Sequence, residues 1–225
     1  AALAKLALKQ IVPQMDIYAF CSQIGTIYAN NPADIKAARA ISDSNAVRCP
    51  DSEAANKMES LIKEVHKEQD SIGGVVSCII ENCPVGLGEP LFDKLHARLG
   101  YTMLNINAAK GFEYGDGFDS ATQRGSYHND SFTTNEKGNI ATTSNHSGGI
   151  QGGISNGQTI SFRVAFKPTP TIGIAQQTVD KNLNAVTLEA KGRHDPCVVP
   201  RAVPVVENCA AFVILDSLLM NKIWQ

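Results

Sequence analysis

The segment GRHDPC, at positions 192–197, places three ionisable residues in a row between a glycine and a proline. In an extended segment Arg193 and Asp195 point to the same side, about 6.5–7 Å apart at the rise of a β-strand. A guanidinium and a carboxylate that face one cavity could hold an anionic ligand and move a proton beside it. The alternative is an exposed ion pair of little consequence, and the spacing alone leaves both interpretations open.

A second segment combines a cation, two hydroxyls and two prolines: Lys167, Pro168, Thr169, Pro170 and Thr171. The prolines fix φ and remove two N–H donors, so the backbone donors that remain within the Pro-Thr-Pro-Thr run belong to the two threonines. The segment is predicted to form a rigid contact for an anion or a polar ring. The alternative is a stiff turn at the end of an edge strand.

A third candidate is the glycine-rich stretch SNHSGGIQGGISNG, at 144–157, which includes Gly152. Glycine permits positive φ and close backbone approach to a flat or phosphorylated ligand. The pattern matches neither GxGxxG nor a Walker loop, so it indicates a phosphate site only weakly.

A fourth candidate is NINAAKG, at 105–111. Lys110 and Gly111 are typical of a helix end and explain half of this motif without a ligand. Asn107, next to Ala108, could equally let a ring system lie against the backbone.

Both strands and helices are predicted to position these groups. Strands are predicted over 12–24, 74–81 and 158–167, where apolar and polar residues alternate in the last segment. Helices are predicted over 32–41 and 50–69, from Pro90 to Ile106, and from Pro204 to Met220. Because strands and helices follow no regular βαβ rhythm, the sequence favours an α+β fold.

Composition narrows the function classes. The 225 residues carry 20 Lys+Arg against 22 Asp+Glu, which argues against a nucleic-acid or membrane-surface role based on bulk charge. No apolar run approaches the roughly 18 residues that span a bilayer. The six cysteines are too sparse for a disulfide scaffold and form no CxxC pair, so free thiols in a reducing, cytoplasmic compartment are expected. No metal site is predicted.

The first residues, AALAKLAL, predict a helix that is apolar over most of its circumference and lacks an N-cap. Such a helix is normally buried and entered from upstream structure, so residues are expected to precede Ala1. The alternative is a trimmed but complete domain. A single domain over 1–225 is expected, with the polar stretch 125–143 as a mobile loop that closes over ligands.

Five segments occur here in one order: GGVVSCIIENCPVGLGEPLFDKLHARLG, INAAKGFEYGDGF, SNHSGGIQGGISNG, KPTPT and GRHDPCVVPRAVPVVE. Together they resemble the chorismate synthase family, over essentially the whole chain. The opening helix resembles one that follows an Arg-Ala/Ser-Ser-Ala-Arg-Glu-Thr motif in that family. That motif, the N-terminal Gly-Glu-Ser-His-Gly segment and a later Asp-His segment are absent here, so the resemblance is to the family's C-terminal portion.

The resemblance implies an enzyme of aromatic amino-acid biosynthesis. The family converts 5-enolpyruvylshikimate 3-phosphate to chorismate by a 1,4-anti elimination of phosphate, and it requires reduced FMN. It also implies a β-α-β sandwich, with helices layered between antiparallel sheets, and a cytoplasmic homotetramer. Whether the enzyme reduces its own flavin with NADP or relies on another reductase is left open.

The resemblance also assigns residues. Flavin contacts carry over to Asn107 and Ala108, Gly152, the run 167–171 and Arg193, and Asp195 matches the aspartate proposed to handle the proton at flavin N5. The family's two catalytic histidines match nothing in this chain. His146 and His194 are interpreted as buried or ion-paired structural histidines.

Three function classes follow from these observations. The leading one is an FMN-dependent phosphate lyase that is incomplete in this chain and inactive on its own. The others are a non-catalytic module that binds flavin or a phosphorylated metabolite, and an assembly domain.

Overall fold

The computed structural model describes residues 2–134, 138, 140–190, 192 and 194–223. The helices are α1 (Ala2–Ile11), α2 (Ile35–Asp43), α3 (Ser52–Lys67), α4 (Leu95–Leu104), α5 (Gly125–His128) and α6 (Val199–Ile223), with a 3-10 helix over Gly117–Thr122. The strands are β1 (Asp16–Ile24), β2 (Ile27–Tyr28), β3 (Gly74–Glu81), β4 (Ala109–Tyr114), β5 (Phe132–Thr134), β6 (Ile140–Thr142), β7 (Ile150–Gln151), β8 (Ile154–Ser155), β9 (Ile160–Phe166), β10 (Gln176–Val179) and β11 (Ala185–Leu188).

The main sheet has five strands in the order β2-β1-β3-β9-β4, and β1 pairs antiparallel with β2. Three antiparallel hairpins accompany it: β5 with β6, β7 with β8, and β10 with β11. This mixture of helices and antiparallel strands confirms the α+β class.

The chain divides into two compact units. Unit 1 comprises Ala1–Ala19, Ser77–Val164 and Pro204–Gln225, and unit 2 comprises Phe20–Val76 and Ala165–Val203.

The elements with strong local signals lie where the sequence predicts them. In β9 the side chains of Ile160, Phe162, Val164 and Phe166 are buried, as the alternating pattern requires. Helix α3 begins after Asp51, whose carboxylate accepts hydrogen bonds from the first-turn N–H groups of Glu53 and Ala54. That bond pattern is the one expected of an aspartate N-cap.

Two predicted helix starts are wrong. Helix α4 begins at Leu95 rather than Pro90, because Asp93 has a φ of 56° and right-handed helix cannot pass through that conformation. Helix α6 begins at Val199 and contains Pro204. A proline there removes one backbone hydrogen bond, and the helix continues through it with Val206 and Ala210 fully buried. The predicted helix end at Lys110-Gly111 is also wrong, because both residues lie in β4.

Helix α1 is less buried than the sequence predicts. Ala4 and Leu8 face the interior of unit 1, whereas Leu3 is 80% exposed and Leu6 is 62% exposed. The helix therefore buries one stripe in this structure rather than its whole circumference.

Among the described helices, only α6 is long enough and apolar enough to span a membrane by length and composition. Half of its most apolar window is buried. Within unit 1 its buried Glu207 accepts a hydrogen bond from the Ala19 N–H at 2.8 Å and pairs with Lys5. These contacts are typical of a helix in a protein core. A core helix can be as long and as apolar as a membrane-spanning helix.

All six cysteines are free, as predicted, and five of them are buried. Burial raises the pKa of Cys83 to about 12 and that of Cys197 to about 11. These two thiols are therefore protonated at neutral pH and unreactive.

The polar stretch 125–143 contains α5 and the β5–β6 hairpin, and residues 135–137 and 139 lie outside the described residues. Its anchor is Asp130, which is 8% exposed. The carboxylate accepts hydrogen bonds from the Ser144 hydroxyl at 2.7 Å, the His146 N–H at 2.8 Å and the Ser147 N–H at 2.9 Å. Burial opposes ionisation, but these donors outweigh it and lower the pKa of Asp130 to about 2. That this stretch closes over ligands stays a prediction.

Replacing Asp130 by asparagine is expected to lower the free energy of unfolding by about 1–3 kcal/mol at pH 7, because an NH2 group would face backbone donors. A folded-state pKa below the unfolded value of 3.8 means that the carboxylate stabilises the fold above about pH 4 and loses this effect as the pH falls towards about 2. Urea unfolding across that window should therefore show a smaller loss for Asp130→Asn than for the wild type. The exposed Asp119→Asn is the control, and parallel acid profiles for Asp130→Asn and wild type would contradict the interpretation.

Candidate functional site

In unit 2 the proline-stiffened segment and the GRHDPC segment lie against each other. The Thr169 hydroxyl donates to the main-chain oxygen of Asp195 at 2.9 Å. The Ser71 hydroxyl donates to the Thr169 carbonyl at 2.7 Å, and the Ile72 N–H donates to the Pro196 carbonyl at 2.7 Å. Two of the four segments singled out from the sequence are thus joined, and Ser71 and Ile72, just before β3, bind to both.

The Asp195 carboxylate is held by a residue that sequence reasoning missed. Arg201, in the first turn of α6, donates from Nη1 to Oδ2 of Asp195 at 2.7 Å. The predicted partner on this segment, Arg193, lies outside the described residues. Arg201 is six positions after Asp195, a spacing that gives no signal until the helix start is known.

The donors of the 167–171 segment divide into two groups. The Thr169 hydroxyl is occupied by Asp195, so that side chain ties the segment down. Lys167 reaches the carbonyl of Pro168 at 3.4 Å and forms no ion pair with any described residue. Thr171 is exposed. An ammonium and a hydroxyl therefore remain for a ligand, and this donor set fits the anionic and carbonyl groups of a flavin.

His194 lines a polar cavity of about 780 Å³ in unit 2, together with His66, Lys67, Asp70 and Glu189. Nε2 of His194 lies 3.2 Å from the carbonyl oxygen of Ala190. This hydrogen bond to the main chain agrees with a structural histidine.

In unit 1, Asn107 and Ala108 occupy the turn between α4 and β4. Ala108 has a φ of 69°, a left-handed conformation that costs energy for a residue with a Cβ. The turn is closed by a hydrogen bond from the Ala109 N–H to the Ile106 carbonyl at 3.1 Å. The Asn107 side chain is exposed, so its amide is available to a ligand.

The glycine-rich stretch serves two purposes. At Gly148, with φ of 61°, a Cβ would lie 2.4 Å from the backbone nitrogen of Gly115, so this close approach is to the protein's own chain. Gly152, with φ of 61°, is the exposed turn of the β7–β8 hairpin, and a Cβ there would meet nothing within 4 Å. The predicted ligand approach therefore remains open at Gly152.

His146 is partly buried and hydrogen-bonded to a carboxylate, in agreement with the sequence interpretation. Its Nδ1 lies 2.6 Å from Oδ2 of Asp116, and its ring stacks on that of His128 with centroids 5.6 Å apart. Burial opposes ionisation of Asp116, and hydrogen bonds from Gln123 and His146 lower its pKa below the usual value.

His146 also lines a cavity of about 610 Å³ in unit 1, with His96, Phe112 and Tyr114. The His96 and Tyr114 rings stack with centroids 4.8 Å apart. This cleft was not predicted from the sequence, because its residues are scattered over more than fifty positions without a motif. In the described ranges no group of three or more His, Cys, Asp or Glu residues could hold a metal ion.

The predicted site residues thus fall into two sets. Lys167 to Thr171 and Asp195 belong to unit 2, where the structure brings them together, and Asn107, Ala108 and Gly152 belong to unit 1. That both sets surround one ring stays a prediction.

The family model described as chorismate synthase matches residues 1–219. The chain is 55% identical to chorismate synthase of Cytophaga hutchinsonii over 222 residues, which cover 98% of this chain and 61% of that protein. It is 53% identical to chorismate synthase of Bacteroides fragilis, covering 100% of this chain and 62% of that protein.

A solved structure titled "Crystal Structure of Chorismate Synthase" matches with a TM-score of 0.78 and 29% identity, over 98% of this chain and 61% of that one. The chain therefore spans about three-fifths of the length of these curated relatives. Because the family model matches nearly every residue, the chain belongs to the chorismate synthase family of lyases.

Proposed function

We propose that this chain carries the flavin-contacting residues of an enzyme that converts 5-enolpyruvylshikimate 3-phosphate to chorismate with reduced FMN. The observation that supports the proposal best is the hydrogen bond from the Thr169 hydroxyl to the Asp195 carbonyl at 2.9 Å. It joins the two segments to which the family resemblance assigns flavin contact and proton transfer.

The residues of this chain would act by positioning and electrostatics. Lys167 and Thr171 offer donors to the flavin ring, and Asn107 offers an amide. Asp195 would hold or receive a proton next to the ring, with one carboxylate oxygen fixed by Arg201. When bound, reduced FMN supplies electron density as phosphate departs and recovers it with the departing hydrogen.

Phosphate expulsion needs cations where negative charge develops, and such groups are worth more in a dry site than in water. Lys167 and Arg193 can supply part of this field. The family's two catalytic histidines have no match among these residues, and the curated relatives are longer. We therefore propose that this chain does not turn over on its own.

The purified 225-residue chain should form no chorismate from 5-enolpyruvylshikimate 3-phosphate under anaerobic conditions with reduced FMN. Chorismate is followed by its absorbance, and the full-length Bacteroides fragilis relative serves as the positive control. Turnover by the chain alone at a rate comparable to that control would contradict the proposal.

Asp195→Asn, in a full-length enzyme that contains this portion, should lower turnover by about 100-fold or more, the range of a lost general acid–base group. Affinity for oxidised FMN should not fall, because Asp195 provides none of the donors to the ring and asparagine removes a negative charge beside it. Steady-state kinetics and a fluorescence titration measure the two quantities. Equal losses in both would instead make Asp195 a scaffolding residue.

A second candidate function is a non-catalytic module that binds flavin or a phosphorylated metabolite. It is favoured by the absence of matches to the catalytic histidines together with the exposed donors of Lys167 and Thr171. The homotetramer implied by the resemblance makes an assembly domain the remaining alternative.

Titration of FMN fluorescence with the 225-residue chain separates these alternatives. Saturable quenching that strengthens when 5-enolpyruvylshikimate 3-phosphate is added is expected for the flavin-contacting portion of the enzyme. Quenching that the substrate leaves unchanged indicates a simple flavin-binding module. No quenching under either condition would contradict both and favour the assembly domain.

A further inference from the structure

We propose that Arg201 is a positioning residue, which orients the Asp195 carboxylate so that one oxygen faces the ligand. The inference rests on the proposed function, since it concerns the same site. Neither the sequence motifs nor the family resemblance assigns a role to this arginine.

The two carboxylate oxygens of Asp195 are in different situations. Oδ2 accepts a hydrogen bond from Nη1 of Arg201 at 2.7 Å, while Oδ1 has no partner within the described part of the chain. The Asp195 side chain is 31% exposed, so the carboxylate is reachable from solvent. The carboxylate is therefore fixed at one oxygen and available at the other.

The backbone of Asp195 is already restrained. Its position before Pro196 limits it to extended conformations. Its carbonyl accepts the Thr169 hydroxyl at 2.9 Å, and the next carbonyl, that of Pro196, accepts the Ile72 N–H at 2.7 Å. The Asp195 side chain can still rotate, and the hydrogen bond from Arg201 restricts that rotation.

The backbone of Arg201 is itself held by the start of α6. Its N–H donates to the Val198 carbonyl at 3.1 Å, and the neighbouring Val199 and Ala202 are buried. A guanidinium is planar and presents donors in a fixed geometry, so it restrains a carboxylate better than an ammonium does. The pair is exposed, so it contributes little to folding stability and its removal should leave the fold intact.

The free oxygen of Asp195 suits a ring that presents an N–H donor. Reduced flavin carries hydrogen on N5, whereas oxidised flavin presents a lone pair there, which a carboxylate repels. A correctly oriented Asp195 should therefore favour reduced over oxidised FMN. The ratio of the two affinities reports the orientation without any need for turnover.

The experiment measures FMN affinity of the 225-residue chain in the oxidised state and, anaerobically, in the reduced state. The variants are Arg201→Ala, Arg201→Lys, Asp195→Asn and the double variant Arg201→Ala/Asp195→Asn. The matched control is Lys63→Ala, which breaks a pair of 2.6 Å with Glu59 in the same unit, where Lys63 is 68% exposed and Arg201 is 65% exposed. Thermal melts verify that each variant is folded.

Arg201→Ala should reduce the preference for reduced FMN by about tenfold, the loss expected for a hydrogen bond to a charged group. Arg201→Lys should restore part of it, and Lys63→Ala should leave it unchanged. The double variant should match Asp195→Asn, because Arg201 acts through Asp195 and the two effects are not additive.

Three results would overturn the inference while the proposed function stands. These are an unchanged preference in Arg201→Ala, an unchanged preference in Asp195→Asn, and equal weakening of both flavin states by Arg201→Ala, which would make Arg201 a direct flavin contact. Failure of the wild-type chain to bind FMN in either state would overturn the proposed function, and the inference with it.

Discussion

The candidate site depends on the main-chain oxygen of Asp195, which accepts the hydroxyl of Thr169. This bond connects segments 26 residues apart, and prolines next to both partners limit the backbone conformations that can form it. Because both segments are already restrained, the chain loses little further conformational entropy when this hydrogen bond forms. The carboxylate of Asp195 is then directed by Arg201, which α6 places beside it. Backbone rigidity and one ion pair together give a preorganised acceptor.

In unit 1, hydrogen bonds and close backbone contacts likewise restrain the irregular segment around His146. Asp130 collects N–H and O–H donors from Ser144, His146 and Ser147, and the close approach of Gly148 to Gly115 allows no side chain between the two backbones. The Asp130 carboxylate and the three groups that donate to it are at least partly buried and paired, and such hydrogen bonds hold an irregular segment in place without regular secondary structure. The exposed turn at Gly152 lies four residues after Gly148 in the same stretch.

Sequence reasoning succeeded where the signal is local. The alternating burial in β9 and the Asp51 N-cap of α3 each depend on residues that are close together in the sequence. It failed at α4, because no local motif signals the positive φ at Asp93, and the helix starts only after that residue rather than at Pro90. The Arg201–Asp195 pair, and Asp116 as the partner of His146, were missed for a related reason. Their partners are brought together by a helix start or a loop path that no motif encodes.

The family resemblance predicts that the Lys167–Thr171 segment, Asp195 and the Asn107–Ala108 turn contact one flavin ring. A crystal structure of the chain soaked with reduced FMN tests it most directly. We expect electron density for a single isoalloxazine ring that touches all three groups, with its N5 nearest to the Oδ1 atom of Asp195. A ring bound elsewhere, or one that contacts the residues of a single unit and leaves Asp195 in solvent, would contradict it.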